Sequence, residues 1–389
     1  MSAVVLMVKG MSRAICSVGV LPPTKKQMDE EDMKSCMIFR YLPQLRGKIA
    51  WRKLGVFPTP VHSVEVVPKG CNKPIKFSSK REDLASDSYG GNKVRTLQHQ
   101  LAVVEARLET EKLEEVLVLG SGGSNQVVAT IVHAARLGIP LPLISAGWFT
   151  PDEPDIDNTL NMLSTFSFPV AMKFAWTAPL AIIRGIVDAV RSKSKLVIPP
   201  GGNNFVGVLG QVGGALELAE QIAGGEVKDV DGIYLPIGSA CTISGLILGV
   251  VIARKHGVKA FEAEDFRICG TVVHHGLAGV ERTIGLHRSY MGRFMPLSVR
   301  HTLENTCAAL CGFGCESLLE DALDFLQRHV VIEARADIVG LYGDHSKRSK
   351  EVSLAYDVSG KTFAASGKQG PALWLCGHFL AKEAPRMFE

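Results

Sequence analysis

A lysine after a Gly-Gly-Asn turn is the residue of this sequence whose type and position best suit covalent chemistry. It is Lys93, in Gly90-Gly91-Asn92-Lys93. The turn places Lys93 where a helix begins, and the positive end of a helix disfavours the charged form of an amine. A neutral amine is what a lysine needs in order to form an imine with an aldehyde. The same pattern also suits a solvated lysine at a helix start, so both interpretations stay open.

A second segment has the composition of an anion-binding loop. It lies between an apolar run and a helical pattern, and small residues there expose successive backbone N–H groups that bind phosphate. No Gly-Lys-Ser/Thr follows, and the spaced glycines of a dinucleotide-binding loop are missing. A tight turn that only permits strand–helix packing is the alternative. The residues of the segment are Gly238, Ser239, Ala240, Cys241, Thr242, Ile243, Ser244 and Gly245.

Two further polar loops contain serine or asparagine next to glycine. They are Gly123-Ser124-Asn125 and Gly201-Gly202-Asn203-Asn204. Serine and asparagine at such places are either ligands of a bound molecule or ordinary turn residues and helix N-caps.

The elements around these loops alternate between strand and helix. Strands alternating with helices predict a mainly parallel sheet covered on both faces, and ligands bind beyond the carboxyl ends of such strands. The polar loops all fall at predicted strand ends. The predicted strands are Ile75 to Ser78, Val116 to Leu119, Leu141 to Ser145, Leu196 to Pro199, Ile233 to Ile237 and Ile268 to Val273. The predicted helices are Gln126 to Leu137, a helix ending at Ile222 and a helix ending at Lys255.

Composition narrows the class of protein. The 389 residues predict two or three domains, and 46% hydrophobic residues allow a sizeable core. A net charge of +4 without a dense basic stretch speaks against nucleic-acid binding. Nine cysteines form no disulfide framework, which favours a reducing compartment such as the cytoplasm. Cys307, Cys311 and Cys315 lack a fourth ligand, and we predict no metal site.

Two uncharged runs bear on membrane insertion, and the N-terminal segment bears on targeting. The uncharged runs Leu196 to Leu216 and Gly232 to Ala253 are rich in polar and small residues. We therefore interpret them as buried strand–loop–helix units and predict no membrane association. The first 28 residues contain no Asp or Glu, which suits either an organellar targeting segment, such as a mitochondrial one, or an untargeted extension.

Several motifs together resemble one enzyme family. Lys80-Arg-Glu-Asp, Gly90-Gly-Asn-Lys-Val-Arg, Gly123-Ser-Asn-Gln, Pro200-Gly-Gly-Asn-Asn-Phe-Val-Gly and Gly238-Ser-Ala-Cys-Thr-Ile-Ser-Gly occur in this order. The sequence resembles the D-cysteine desulfhydrase / 1-aminocyclopropane-1-carboxylate deaminase family from about residue 55 to 290. The resemblance implies the tryptophan-synthase-β-like fold (fold type II of pyridoxal-phosphate enzymes), a two-domain, three-layer αβα architecture with parallel-rich sheets flanked by helices.

The resemblance also implies roles for individual residues. Lys93 would carry pyridoxal 5′-phosphate (PLP) as a Schiff base and act as the proton-transfer base. Asn125 would hydrogen-bond the phenolic oxygen of the cofactor, and Ser124 would lie on the substrate carboxylate or near its α-carbon. The residues that would hold the phosphate are Gly238, Ser239, Ala240, Cys241 and Thr242.

The sequence departs from the family pattern in a few places. The family usually has glycine where Cys241 stands. Near the carboxyl end, Ser359 matches the partner of the pyridine nitrogen, and Val358 stands where the family has an active-site tyrosine. Tyr342 matches another family tyrosine and is a candidate catalytic residue. A hydroxyl partner for the pyridine nitrogen suits elimination better than transamination.

The activity implied by the resemblance is that of a PLP-dependent lyase or deaminase on a small amino acid. D-cysteine, cleaved to pyruvate, ammonia and sulfide by α,β-elimination, is the first expectation. The alternatives are 1-aminocyclopropane-1-carboxylate deamination, a PLP-binding protein with little catalysis, and a nucleotide- or phosphosugar-binding protein without PLP. The resemblance further implies a homodimer. The expected organisation is an extension over 1–50, a larger domain of 51–95 plus 206–389, and an inserted domain of 96–205.

Overall fold

The framework of the chain is seen in a computed structural model. It describes residues 20–28, 34–68, 72–110, 112–149, 156–176, 180, 183–185, 187, 192, 194–227, 230–274, 291–335, 337–338, 345–373, 375 and 380–387. The candidate residue Tyr342 lies outside these residues.

Three sheets organise the described strands. The strands are β1 (Val61–Val66), β2 (Ile75–Lys80), β3 (Glu115–Ser121), β4 (Ile144–Phe149), β5 (Ala171–Phe174), β6 (Lys195–Ile198), β7 (Gly232–Ile237), β8 (Arg267–Val272), β9 (Val330–Glu333) and β10 (Lys361–Phe363). Two sheets are parallel, in the orders β5-β4-β3-β6 and β7-β8-β9. The third, β10-β1-β2, is antiparallel. The central strand β3 is buried along its whole length, as a parallel strand covered on both faces must be.

Helices flank the parallel sheets. They are α1 (Met37–Tyr41), α2 (Lys93–Thr110), α3 (Asn125–Leu137), α4 (Ile156–Phe166), α5 (Phe205–Ala223), α6 (Cys241–Lys255), α7 (Met291–Gly312), α8 (Leu319–His329), α9 (Lys347–Ser359) and α10 (Leu380–Met387). Among the helices in the described part of the chain, none combines the length and the apolar character needed to cross a membrane. The two uncharged runs are strand–loop–helix units, as predicted: β6 with the start of α5, and β7 with α6.

Most of the predicted strands and helices are confirmed to within a few residues, and one strand was placed wrongly. The strand predicted from Leu141 to Ser145 begins only at Ile144, because residues Leu141–Leu143 form a 3-10 turn. Pro142 lies inside this turn and has no N–H to donate to a strand ladder.

Helices α2 and α6 pack closely against α5. A Cβ added to Gly210 of α5 would lie 2.1 Å from the carbonyl oxygen of Arg95 on α2. A Cβ added to Gly245 of α6 would lie 2.3 Å from the Cβ of Gln211 on α5. Both glycines are therefore required by close approach of the helices rather than by backbone conformation. Because the helices pack along their first turns, the amino ends of α2 and α6 lie side by side.

Two buried apolar clusters surround the parallel sheets. One contains Leu97 and Leu101 of α2 together with Val116 and Val118 of β3. The other contains residues of α5, α6, β7 and β8, including Phe205. The division into an inserted domain of 96–205 and a larger remainder stays a prediction.

A buried network of charges joins β2, α2 and α5. Arg95 donates to Glu217 Oε1 at 2.7 Å and to Glu82 Oε2 at 2.7 Å. Lys80 Nζ donates to the same oxygen of Glu217 at 2.5 Å. Burial would raise the pKa of Glu217, but Arg95 and Lys80 hold that pKa below its usual value. The carboxylate of Glu217 therefore stays ionised between its two cations.

We expect Glu217→Gln to lower the free energy of unfolding by about 3–5 kcal/mol, because the change leaves Arg95 and Lys80 buried without their shared counter-ion. Equilibrium unfolding in urea measures it. The matched control is Glu220→Gln on the same helix, whose carboxylate pairs with the exposed Arg40 at 2.8 Å. That change is expected to alter the free energy by less than about 1 kcal/mol. Equal losses in the two variants would contradict the role given to the network.

Candidate active site

Lys93 begins α2 and points toward a neighbouring loop. Its Nζ lies 3.4 Å from the carbonyl oxygen of Gly201. Burial lowers the pKa of Lys93 below its usual value, and only an ionised Cys241 would oppose this shift. The amine is thus more readily neutral than that of a solvated lysine, which is the property that imine chemistry requires.

The Gly-Gly turn before Lys93 is held by the Lys80–Asp83 segment. A Cβ on Gly90 would lie 1.9 Å from the carbonyl oxygen of Asp83, so no larger residue fits there. Gly91 has a φ of +108°, and its N–H donates to the carbonyl oxygen of Glu82 at 2.7 Å. The Lys80-Arg-Glu-Asp motif and the Gly90-Gly-Asn-Lys motif are therefore in direct backbone contact.

The Gly238–Thr242 loop lies beside this turn. It joins β7 to α6, and α6 starts at Cys241 without a side-chain cap from the described residues. The first N–H groups of a helix have no acceptor within the helix and so can bind an anion. Asn92 Nδ2 donates to Thr242 Oγ1 at 3.1 Å, which ties the loop directly to the residue before Lys93.

Cys241 fits the anion-binding loop without strain or charge. Phe261 is the non-glycine residue with positive φ in the described chain, so Cys241 does not need the conformation of a glycine. Its Sγ is buried and lies 3.7 Å from the carbonyl oxygen of Gly202. Burial raises the pKa of Cys241 to about 11, although Lys93 and Thr96 lower it in part. The thiol is therefore neutral near pH 7 and does not repel an anion.

The Gly201-Gly202 loop borders the candidate site next to Lys93 and the Gly238–Thr242 loop. Gly201 has a φ of +67°, and a Cβ there would lie 2.3 Å from Ser239 Oγ and 4.0 Å from Lys93 Nζ. A side chain at Gly201 would thus fill the space between the lysine and the anion-binding loop. The glycine keeps that space open for a bound group.

The two predicted helix-start loops differ in what their side chains do. Asn204 precedes α5, and its Oδ1 accepts from the N–H of Gly207 at 2.9 Å, so Asn204 is an ordinary N-cap. Ser124 precedes α3 at the corresponding position, but its hydroxyl makes no capping hydrogen bond. No described group pairs with Ser124 Oγ, which leaves this buried hydroxyl available to a ligand.

Asn125 is hydrogen-bonded to Tyr89, the residue that precedes the Gly90-Gly91-Asn92-Lys93 turn. Its Oδ1 accepts from Tyr89 Oη at 2.9 Å and from Asn161 Nδ2 at 2.7 Å. Neither Tyr89 nor Asn161 is predicted as a site residue from the sequence. The position of Tyr89 next to Gly90 could have indicated it. Asn161 carried no comparable signal, since α4 was not predicted.

Ser359 lies at the end of α9 and has other partners. Its Oγ donates to the carbonyl oxygen of Ala355 at 2.8 Å and accepts from the N–H of Val67 at 2.9 Å. The structure therefore does not bring Ser359 into contact with Lys93 or the Gly238–Thr242 loop. Val358 is 87% exposed on the same helix. The cofactor role of Ser359 stays a prediction.

Comparison with known proteins identifies the family. The model of the pyridoxal-phosphate dependent enzyme family matches residues 52–284, more than half of the chain. The chain belongs to this family. D-cysteine desulfhydrase of Salmonella paratyphi C (strain RKS4594) is 31% identical over 241 residues, which cover 61% of this chain and 68% of the relative. The predicted family, its α/β fold and its cofactor PLP are thereby confirmed.

A solved structure supports the architecture of this PLP-dependent enzyme. The crystal structure of a protein described as an ACC deaminase homologue matches with a TM-score of 0.58 and 19% identity. The match covers 90% of this chain and 87% of that chain. At this identity the likeness establishes the fold alone.

The residues at the three loops fit PLP. An amine with a lowered pKa, a helix start without a cap and a glycine that keeps space between them suit an aldehyde that carries a phosphate. A PLP site needs both an amine and an anion-binding loop, and Gly201 borders both of them here.

We expect the Cys241 thiol to resist alkylation in the folded protein. With a pKa of about 11, about one thiol in a thousand is ionised at pH 8, and Cys241 is also buried, whereas Cys311 is exposed. Iodoacetamide should therefore label Cys311 at least about tenfold faster than Cys241, as followed by peptide mass spectrometry. The difference should vanish in urea. Equal rates in the folded protein would show that Cys241 is accessible and ionised.

Proposed function

We propose that this PLP-dependent enzyme is a lyase that releases pyruvate, ammonia and sulfide from D-cysteine or a closely related small amino acid. The observation that carries the proposal is that Gly201 borders both the Lys93 amine, which lies 3.4 Å from its carbonyl oxygen, and Ser239 of the anion-binding loop. The 31% identity to a D-cysteine desulfhydrase supports the choice of substrate. The net reaction is D-cysteine plus water to pyruvate, ammonia and hydrogen sulfide.

Each loop has a separate task in this proposal. Lys93 would hold the cofactor covalently through its amine, and Asn125 would donate to the phenolic oxygen of the cofactor. Bound PLP supplies an electron sink that makes the substrate α-proton acidic. Ser124 would bind the substrate carboxylate through its hydroxyl, which does not cap α3. The residues that would hold the phosphate through their N–H groups and hydroxyls are Gly238, Ser239, Ala240, Cys241 and Thr242.

The lowered pKa of Lys93 suits the role of general base. Only the neutral amine accepts a proton, and a pKa below the usual lysine value leaves a larger neutral fraction at any pH below that value. The amine would remove the α-proton of the substrate once it is free. A base positioned in this way typically contributes on the order of 10²–10⁴-fold to the rate.

A second candidate is a PLP-binding protein with little catalytic activity. The hydroxyl of Ser359 is engaged by Val67 and Ala355, and Val358, where the family has a tyrosine, faces solvent. The same exposure weighs against cyclopropane ring opening, the third candidate. Tyr342, the remaining candidate catalytic residue, keeps its proposed role from the resemblance. A homodimer is proposed on the same ground, and light scattering coupled to gel filtration tests it.

We expect Lys93→Ala to abolish covalent attachment of PLP, because Lys93 is the amine that the described residues place beside Gly201. Borohydride reduction followed by peptide mass spectrometry locates the attachment. Pyruvate release from a panel of D- and L-amino acids and 1-aminocyclopropane-1-carboxylate then measures turnover. The control is Lys112→Ala, whose side chain is 89% exposed and which should match the wild type.

The panel separates the candidates. Release of pyruvate and sulfide from D-cysteine supports the lyase. Attachment of PLP at Lys93 without turnover of any amino acid would replace it with the binding protein. Attachment elsewhere would overturn the role of Lys93.

We expect Ser124→Ala to lower kcat/KM about tenfold or more, because a hydrogen bond to a charged carboxylate is lost. The affinity for PLP and the stability should stay unchanged, since the hydroxyl caps no helix. Asn204→Ala is the matched control: it removes a real N-cap and should lower the free energy of unfolding by about 1 kcal/mol. A loss of stability in Ser124→Ala with unchanged kcat/KM would make Ser124 a structural residue.

A further inference from the structure

Two neighbouring side chains donate hydrogen bonds to the same atom of the Asn125 amide, its oxygen Oδ1. Tyr89 Oη lies 2.9 Å and Asn161 Nδ2 lies 2.7 Å from Asn125 Oδ1. Tyr89 belongs to the lysine turn, and Asn161 belongs to α4. The amide that faces the bound group is therefore held by two elements that are distant in sequence.

The hydrogen-bond network determines which way both amides point. Asn161 Nδ2 lies 3.1 Å from the backbone carbonyl oxygen of Gly123. A carbonyl oxygen only accepts, so the atom of Asn161 that faces it must be the nitrogen. The same nitrogen lies 2.7 Å from Asn125, so the facing atom of Asn125 must be its oxygen. The orientation follows from a fixed backbone acceptor and does not depend on how either amide is assigned.

The consequence is that Asn125 turns its two N–H donors away from its neighbours. No residue in the described part of the chain accepts a hydrogen bond from Asn125 Nδ2. We propose that Tyr89 and Asn161 are positioning residues that fix Asn125 as a donor toward the cofactor. This inference rests on the contact proposed above between Asn125 and the phenolic oxygen of PLP.

The orientation matters because an asparagine amide has two opposite ends. With Nδ2 turned to the phenolic oxygen, Asn125 stabilises negative charge there. With the amide flipped, Oδ1 would face that oxygen and repel it. With a donor at the phenolic oxygen, that oxygen would attract less strongly the proton on the Lys93 nitrogen linked to the cofactor. Loss of the donor should therefore raise the pH at which the visible absorbance band of bound PLP changes.

The experiment compares three variants of the full-length holoenzyme. Asn161→Asp presents only acceptors to Asn125 and so favours the flipped amide of Asn125. Tyr89→Phe removes the hydroxyl that donates to Asn125. Asn125→Ala removes the side-chain amide of Asn125 itself. PLP affinity is measured by fluorescence titration, and the pH midpoint by visible absorbance. We expect Asn161→Asp to weaken PLP binding about tenfold or more and to raise the midpoint. Tyr89→Phe should shift both quantities in the same direction by a smaller factor.

Two double variants and a control separate positioning from general damage. In the Asn125→Ala background, the changes at Tyr89 and Asn161 should have no further effect, because they act through Asn125. Ser164→Ala is the control on α4, since its exposed hydroxyl bonds only to the Leu160 carbonyl at 2.8 Å. Its affinity and midpoint should equal those of the wild type.

The outcomes distinguish this inference from the function on which it rests. If Asn125→Ala binds PLP as the wild type does, the proposed contact of Asn125 is wrong and the inference falls with it. If Asn125→Ala is weakened but Tyr89→Phe and Asn161→Asp are not, only the positioning inference is overturned. Should Asn161→Asp fail to fold, Tyr89→Phe decides alone, because it removes a single oxygen.

Discussion

The buried pairing of Arg95 with Glu217 and Glu82 is the interaction on which the rest of the site depends. Charges removed from water are tolerated only with close partners, so this network permits little displacement of the elements that carry it. Arg95 lies two residues after Lys93 in the first turn of α2. Fixing the guanidinium against α5 and the Lys80–Asp83 segment therefore also fixes where the Lys93 amine emerges, although no member of the network touches the amine.

Helix packing then brings the loops of the candidate site together. The amino ends of α2 and α6 lie side by side because Gly210 and Gly245 let both helices approach α5 closely. Each helix start carries partial positive charge, and bringing two together is favourable only when an anion compensates them. Burial also lowers the pKa of the Lys93 amine below its usual value. In the proposed site, one arrangement would serve both the phosphate and the aldehyde of PLP.

The regular elements were largely predictable, because apolar runs bounded by glycine-rich loops leave a strong pattern. The antiparallel sheet β10-β1-β2 was largely missed, and so were β5 and β9, which have four residues each. The four-residue β6 was predicted because a Pro-Gly-Gly-Asn-Asn loop follows its apolar run, whereas no such loop follows β5 or β9. The late start of β4 had a signal in Pro142, whose missing N–H rules out the ladder there.

The order and spacing of the motifs were enough to predict the family and its cofactor, because they record the backbone requirements of each turn. The loops proposed to bind PLP were predicted in the same way. The sequence also placed Lys93 and the Gly238–Thr242 loop correctly at element boundaries. Only the tertiary structure distinguished Ser124 from Asn204, two helix-start residues of similar appearance, because capping depends on side-chain geometry. It alone supplied Asn161, 36 residues from Asn125 along the chain. Hydrogen-bond partners are chosen by distance in space, which local sequence pattern does not encode.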